Sequence, residues 1–107
     1  MTNGFYKLEV YVPEIHAEVL KQALAAAGAG KLGNYDSCFW ECAGTGQFRP
    51  LPGSRPFLGE PNVVEHVAER KLETLVEAAN LEAVLAALKA AHPYETPAYQ
   101  YWPVQLD

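Results

Sequence analysis

The segment from His92 to Tyr99, near the C-terminus, carries the densest group of side chains that could do chemistry. An imidazole at His92, a phenol at Tyr94 and a carboxylate at Glu95 lie within four positions. Two prolines in the segment fix their own φ angles and move the residues before them out of the helical region. These side chains are therefore predicted to lie on a stiff bridge between a helix and a strand.

Two interpretations of this bridge follow from its residue types. His92, Tyr94 and Glu95 could form a small-molecule or metal site at a junction between subunits. They could also be structural, because a histidine near a helix C-terminus interacts favourably with the helix dipole, and the other two side chains can satisfy backbone groups at a tight turn. The proline spacing is explained by backbone geometry alone, so the structural interpretation is preferred.

Cys38 and Cys42 are the two cysteines of the chain, and they offer a weak metal-binding signal. Together with His16 or His92 they could hold a divalent metal ion in a soft site, or they could act as a redox sensor. Their four-residue spacing is less specific for zinc than paired two-residue spacings, and on a strand they would lie about 13 Å apart, too far for a disulfide. The alternative interpretation is that both thiols pack as small apolar groups beside Trp40.

The elements that must position these side chains follow from hydrophobic periodicity. Alternating apolar residues indicate strands, and apolar residues at three- and four-residue steps indicate helices. Gly28 is predicted to end the first helix and Asn80 to cap the second. The predicted strands cover residues 6–12, 35–43, 66–76 and 98–104, and the predicted helices cover residues 15–27 and 81–91.

Between the second and third of these strands, glycines and prolines predict irregular structure. Gly44-Thr45-Gly46 is predicted to form a turn that leads into a short returning strand at residues 47–49. The segment from Pro50 to Pro61, called the 50–61 loop below, is proline-rich and partly apolar, which predicts an ordered surface loop. Two roles remain open for this loop, a mobile effector loop or a segment that packs over a neighbouring subunit.

An internal repeat predicts the architecture. Lys7-Leu8-Glu9 recurs as Lys71-Leu72-Glu73, and each copy begins a unit of strand, helix and strand. Two such units in tandem are typical of the split βαβ pattern, an antiparallel four-stranded sheet with both helices on one face. We therefore predict one domain, residues 1–107, of α+β class with a ferredoxin-like fold.

The second face of the sheet is predicted to be a subunit interface, because its composition is too apolar for water and too charged for a core. The residues assigned to this face by alternation are Lys7, Glu9, Tyr11, Lys71, Glu73, Leu75, Tyr99 and Tyr101.

Composition narrows the classes of partner. The net charge of −5 argues against nucleic acid or an anionic membrane as the principal partner, since binding phosphates needs a basic surface. No stretch approaches the roughly 20 apolar residues that span a bilayer. The N-terminal residues, Met1 to Phe5, lack the basic and apolar regions of a signal peptide, so a cytoplasmic location is expected.

Four separated blocks also resemble a known family. His92-Pro93-Tyr94-Glu95 followed by Pro97 resembles the closing motif of CutA proteins, which are trimeric, ferredoxin-like and related in shape to PII signalling proteins. A closer resemblance is to the YqfO-like family, a PII/CutA-like domain that occurs alone or inserted in larger Nif-three-type proteins. The blocks that carry it are residues 33–36, residues 44–50, residues 56–60 and residues 92–101.

The resemblance implies a homotrimer that binds a small molecule or has a regulatory role, without catalysis. The candidate ligand-binding residues are His92, Tyr94 and Glu95, with Tyr35 added from the first block. A divalent-metal-binding protein of CutA type is the alternative. The metal-binding core of Nif-three-type proteins is absent from this sequence, so no hydrolase activity is carried over. Thr96 stands where the YqfO-like pattern usually has a second acid, which removes a paired carboxylate.

Overall fold

The structure is a computed structural model that describes residues 4–107. Its elements are β1 (Phe5–Pro13), α1 (Ala17–Ala26), β2 (Phe39–Phe48), β3 (Glu65–Glu77), α2 (Leu81–Ala91) and β4 (Tyr99–Val104). None of the helices in this part of the chain is long and apolar enough to cross a membrane. The sequence prediction about a signal peptide falls largely on residues 1–3, which lie outside the described residues.

The four strands form one antiparallel sheet in the order β2-β3-β1-β4. This is the strand order of the split βαβ pattern, so the ferredoxin-like fold predicted from the repeat is confirmed. Both helices cover one face of the sheet and bury a core that is worth about 1.5–3 kcal/mol per large side chain. The fully buried large side chains are Leu8, Val10, Val12, Leu20, Leu24, Leu72, Val76, Val84 and Leu88.

The end of α1 and the start of α2 meet at Gly28 and Asn80. Gly28 has a φ of +118°, a backbone conformation in which a side chain is strained. A Cβ at this position would lie 2.8 Å from Asn80 Nδ2, because the amide fills the space above the glycine. Asn80 occupies the predicted N-cap position, but its side chain makes no capping hydrogen bond, so the predicted capping interaction was wrong.

The predicted turn at Gly44-Thr45-Gly46 was also wrong, because these residues continue β2 to Phe48. They pair with β3 in register, from Gly44 opposite Glu69 to Phe48 opposite Glu65. The last pair between β1 and β3 is Pro13 with Glu69. Residues 44–48 and 65–69 therefore form a two-stranded extension of the sheet, which we call the ribbon.

A network of ion pairs fixes the base of the ribbon to α1. Glu41 on β2 accepts hydrogen bonds from Lys21 on α1 and from Arg70 on β3. Arg70 also reaches Glu14, with Nη2 and Oε2 3.0 Å apart. Partly exposed pairs contribute little one by one, but this shared network joins two strands to the start and middle of the first helical segment.

The open face of the sheet mixes charges with aromatic rings. Lys7 Nζ lies 3.0 Å from Glu73 Oε1, and Lys71 Nζ lies 3.5 Å from Glu9 Oε2. Trp40 is on the same face opposite Glu73 and is 60% exposed. The mixed character predicted for this face is therefore present in the structure.

The predicted positions of Tyr99 and Tyr101 on that face were wrong. The register places Tyr99 opposite Val10 and Tyr101 opposite Leu8, so both tyrosines lie on the helix side of β4. Tyr99 packs against the core, and the Tyr101 ring makes an edge contact with Tyr6 at 5.9 Å between centroids. A shift of one residue in the assigned phase moves every side chain of a strand to the other face.

Candidate functional site

A cavity of about 260 Å³ lies where the ribbon, the 50–61 loop and the bridge meet. Apolar and aromatic groups form most of its wall, and two carboxylates reach it. The lining side chains that matter chemically are Tyr11, Phe48, Phe57, Glu69, Tyr94 and Glu95. The bridge predicted from the sequence therefore contributes four lining residues, Tyr94, Glu95, Thr96 and Ala98, to a site that also includes β1, the ribbon and the 50–61 loop.

His92 lies behind this cavity and is 6% exposed. Its Nδ1 accepts a hydrogen bond from the backbone N–H of Tyr94 at 3.1 Å, so Nε2 carries the proton and donates to the Tyr11 carbonyl oxygen at 2.6 Å. Burial lowers the pKa of His92 below its ordinary value, although the hydrogen bond to Tyr11 opposes this. A neutral His92 thus ties the start of the bridge to the end of β1.

Tyr94 follows His92 on the bridge and lies at the centre of the site. Its hydroxyl donates a hydrogen bond to Glu69 Oε2 at 2.8 Å. Its ring packs between two phenylalanines, with centroid distances of 5.6 Å to Phe48 and 6.5 Å to Phe57. Burial, followed by the neighbouring Glu69 carboxylate, raises the pKa of Tyr94 well above that of a free phenol. The phenol is therefore a hydrogen-bond donor at neutral pH.

The Glu69 side chain can take its observed position because residue 46 is a glycine. A Cβ on Gly46 would fall inside the Glu69 carboxylate, whereas a Cβ on Gly44 would meet nothing within 4 Å. Glycine within a strand often marks a close approach of another group. The Glu69 carboxylate thus occupies the space that the missing side chain of Gly46 leaves, and from there it reaches the Tyr94 hydroxyl.

Glu95 joins the 50–61 loop to the bridge. Its Oε1 accepts the backbone N–H of Arg55 at 2.7 Å, a charge-assisted bond across the mouth of the cavity. The loop is closed on itself by the N–H of Asn62, which donates to the Pro50 carbonyl oxygen at 2.7 Å. The Phe57 ring also contacts the His16 ring at 5.4 Å between centroids. The loop is therefore ordered, as its prolines predict, and covers Tyr94.

The structure places the other predicted ligand residue, Tyr35, away from this site. Tyr35 is 76% exposed in the segment before β2, which begins at Phe39 rather than at the predicted residue 35. The cavity lies at the opposite end of β2, at Phe48, about 30 Å away along the strand at roughly 3.3 Å per residue. Tyr35 and the cavity are therefore separate features of this chain.

The candidate metal ligands are not gathered either. Cys38 lies just before β2 and donates a hydrogen bond to the Asp36 carbonyl oxygen, and Cys42 is exposed on the open face opposite Lys71. The Cys42 side chain is thus not packed in a core beside Trp40. Both ring nitrogens of His92 are used in hydrogen bonds. Within residues 4–107, no group of three or more His, Cys, Asp or Glu side chains is arranged to hold a metal ion.

Four residues of the site were missed by the sequence analysis. Phe57 belongs to one of the blocks that carry the family resemblance, so it had a signal. Phe48 had the same kind of signal, because it lies in the block of residues 44–50. Tyr11 and Glu69 had none, since each is one residue of an ordinary strand pattern. The place of Phe48 and Glu69 in the site depends on the ribbon, which the predicted turn excluded.

Comparisons with solved structures support the fold. Over 94% of this chain and 77% of its own length, CutA from Synechococcus elongatus superposes with a TM-score of 0.65 at 19% identity. A Bacillus cereus protein related to NIF3 superposes with a TM-score of 0.84 at 37% identity, over 99% of this chain and 27% of that one. The fold is thus that of the CutA-like ferredoxin-fold domains.

Comparisons with curated proteins give the nearer relationship, although no family model matches the chain. The chain is 44% identical over 103 residues to a protein of Halalkalibacterium halodurans and 42% identical over 104 residues to one of Bacillus subtilis. Each match covers 96% or 97% of this chain and 28% of the relative, and both relatives are named GTP cyclohydrolase 1 type 2 homolog. The chain spans about a quarter of their length. With the NIF3-related structure, these matches confirm the resemblance to the YqfO-like family.

The buried His92 generates a pH prediction. Its folded-state pKa lies below the unfolded value of about 6.5, so the unfolded chain binds more protons between the two values. Its contribution to stability is therefore complete above the unfolded pKa and is lost as pH falls through the folded pKa. We expect the free energy of unfolding at fixed protein concentration to drop as the pH falls below the unfolded pKa of about 6.5, and His92→Gln to reduce that drop.

The control is His66→Gln, because His66 is exposed on the ribbon and should leave the pH dependence as it is in the wild type. Denaturant titrations at several pH values measure the slope in all three proteins. Equal slopes in the two variants would contradict a buried, neutral His92.

Proposed function

We propose that this chain is a non-catalytic, trimeric PII/CutA-like domain that binds a small molecule in the cavity beneath the 50–61 loop. The observation that carries the proposal is the cavity itself. Its volume of about 260 Å³ is close to the lower end of the range for ligand sites, and it combines apolar walls with a few polar groups. A loop held over a rigid sheet is a common place for binding residues.

The absence of catalysis is proposed from the state of the groups in the site. The Glu69 carboxylate accepts the Tyr94 hydroxyl, and both His92 nitrogens are used in hydrogen bonds to the backbone. A general base needs a free position directed at the substrate, and a nucleophile needs such a base beside it. The name of the curated relatives refers to proteins about four times as long as the match, so it is not extended to this chain.

The homotrimer is supported by the shape of the single chain. A two-stranded ribbon is marginally stable alone, and the ribbon leaves the chain 48 Å long with a radius of gyration of 14.9 Å. A compact chain of this length has a radius of gyration of about 13 Å. Exposed Trp40 and Trp102 lie on the open face and would be covered by other copies.

We therefore predict that the protein elutes from a size-exclusion column with a light-scattering mass of about three times 11.7 kDa. Replacing an aromatic of the open face, Trp40→Lys, should shift the mass towards that of one chain, because a buried charge opposes association. The matched control is Val19→Lys on the outer side of α1, which is exposed away from this face. A wild-type protein that stays monomeric at micromolar concentration would contradict the trimer.

Divalent-metal binding is a second candidate function. Two structural neighbours, one from Archaeoglobus fulgidus and one from Thermus thermophilus, are described as divalent cation tolerance proteins. In this chain, Glu69 and Glu95 bring two carboxylates to one cavity. Oxygen ligands of this kind suit hard divalent cations. The predicted metal site formed by Cys38, Cys42 and His92 stays a prediction. It would require that association of several chains bring these ligands together.

A panel of small molecules and divalent metals, scored by thermal unfolding, tests the binding proposal. A ligand at a hundred times its Kd adds roughly 2.7 kcal/mol to the free energy of unfolding. We expect at least one compound to raise the melting temperature of the wild type and of Leu58→Ala, but not of Phe57→Ala, because only Phe57 of this pair lines the cavity. A panel without any response, or a response retained in Phe57→Ala, would contradict this site.

A further inference from the structure

The cavity presents two carboxylates that have no cation of the chain beside them. Within residues 4–107, neither Glu69 nor Glu95 forms an ion pair, whereas Glu41 and Glu73 on the same sheet are each paired with two basic side chains. Their partners are neutral hydrogen-bond donors, the Tyr94 hydroxyl and the Arg55 backbone N–H. Glu69 is partly buried and Glu95 is exposed, and both line a cavity with mainly apolar walls, so the cavity carries a negative potential that favours a cation.

Another part of the wall is aromatic. The rings of Phe48 and Phe57 flank the Tyr94 ring at 5.6 Å and 6.5 Å between centroids, and Tyr11 lines the cavity as well. The faces of aromatic rings are electron-rich and attract a cation within about 6 Å. Rings and carboxylates are the two groups that recognise an organic ammonium, since the rings contact its methyl or methylene groups and the carboxylates its charge.

The negative charge of the cavity argues against an anionic ligand. The residues that line it include no Lys, Arg or His, and the chain carries a net charge of −5. His92 and His16 contact the rings of Tyr94 and Phe57 but do not line the cavity, and the lowered pKa of His92 favours its neutral form. A phosphate or carboxylate ligand would therefore meet repulsion from both Glu69 and Glu95 without a compensating donor of positive charge.

We propose that the cavity binds a small organic cation, a quaternary ammonium or a short alkylammonium, with its charged end between Glu69 and Glu95 and its carbon atoms against the aromatic rings. This inference rests on the proposed function, since it names the ligand class of the same cavity. The small volume limits the ligand to a few non-hydrogen atoms around the charge. A hydrated metal ion fits less well, because aromatic rings offer it no ligand atoms.

The test uses three cations, tetramethylammonium, choline and n-butylammonium, each against a neutral molecule of the same shape, such as 3,3-dimethylbutan-1-ol for choline. Binding to the wild-type assembly is followed by NMR titration of the backbone amides of Gly46, Tyr94 and Ala98. We expect at least one cation to bind roughly tenfold or more tightly than its neutral counterpart. Added salt should weaken that binding.

Variants locate the binding. Glu69→Gln and Phe57→Ala should each weaken the cation roughly tenfold, whereas Glu77→Gln, an exposed carboxylate at the far end of β3, should leave it unchanged. Because Glu69→Gln is nearly isosteric, its amide spectrum should stay that of a folded protein, and Phe57→Ala provides an independent reduction through the loop. Equal weakening in Glu77→Gln would overturn the proposal, because it would indicate a general charge effect.

The remaining outcomes separate this inference from the proposed function. Equal binding of cation and neutral counterpart, or binding of an anion or a divalent metal in the same cavity without any of the three cations, would overturn the organic-cation proposal and leave a small-ligand cavity. No response to any compound in either experiment would overturn both.

Discussion

The hydrogen bond from the Tyr94 hydroxyl to the Glu69 carboxylate joins the bridge to the sheet at the base of the ribbon, beside the contact of the Tyr94 ring with Phe48. Glu69 belongs to the sheet at the point where β1 ends and the ribbon begins. Tyr94 belongs to the bridge, which is fixed from behind by His92 on the Tyr11 carbonyl. Since the 50–61 loop packs on the Tyr94 ring and on Glu95, this contact helps to set the position of the wall of the cavity.

The bridge residues divide between holding the backbone and lining the cavity. His92 is structural, because its two nitrogens are used to hold the backbone on either side. Tyr94 and Glu95 face the cavity and also hold the ribbon and the loop in place. A ligand in the cavity would contact all three segments at once, so binding would act directly on the loop.

Much of the fold was predictable because its signals are local. Alternation along β1 and β3 and the apolar stripes of the two helices need no knowledge of distant residues. The errors arose where distant residues decide. Gly46 is in a strand because it pairs with Val67, and a side chain there would meet Glu69; nothing near Gly46 in the sequence indicates either. The phase of β4 was lost across the irregular bridge, which misplaced Tyr99. The cavity needs Phe48 and Glu69 from the ribbon, so only its Tyr94 and Glu95 side was predictable.

The central role of the Tyr94–Glu69 hydrogen bond is tested most directly by comparing Gly46→Ala with Gly44→Ala, two changes on the same side of one strand. A Cβ at residue 46 should displace the Glu69 carboxylate, so the pKa of Tyr94, followed by NMR of labelled tyrosine rings, should fall towards its ordinary value. The free energy of unfolding should fall by about 1–3 kcal/mol, as for a lost charge-assisted hydrogen bond. Gly44→Ala should change neither quantity. Identical behaviour of the two variants would contradict the central role of the Tyr94–Glu69 contact.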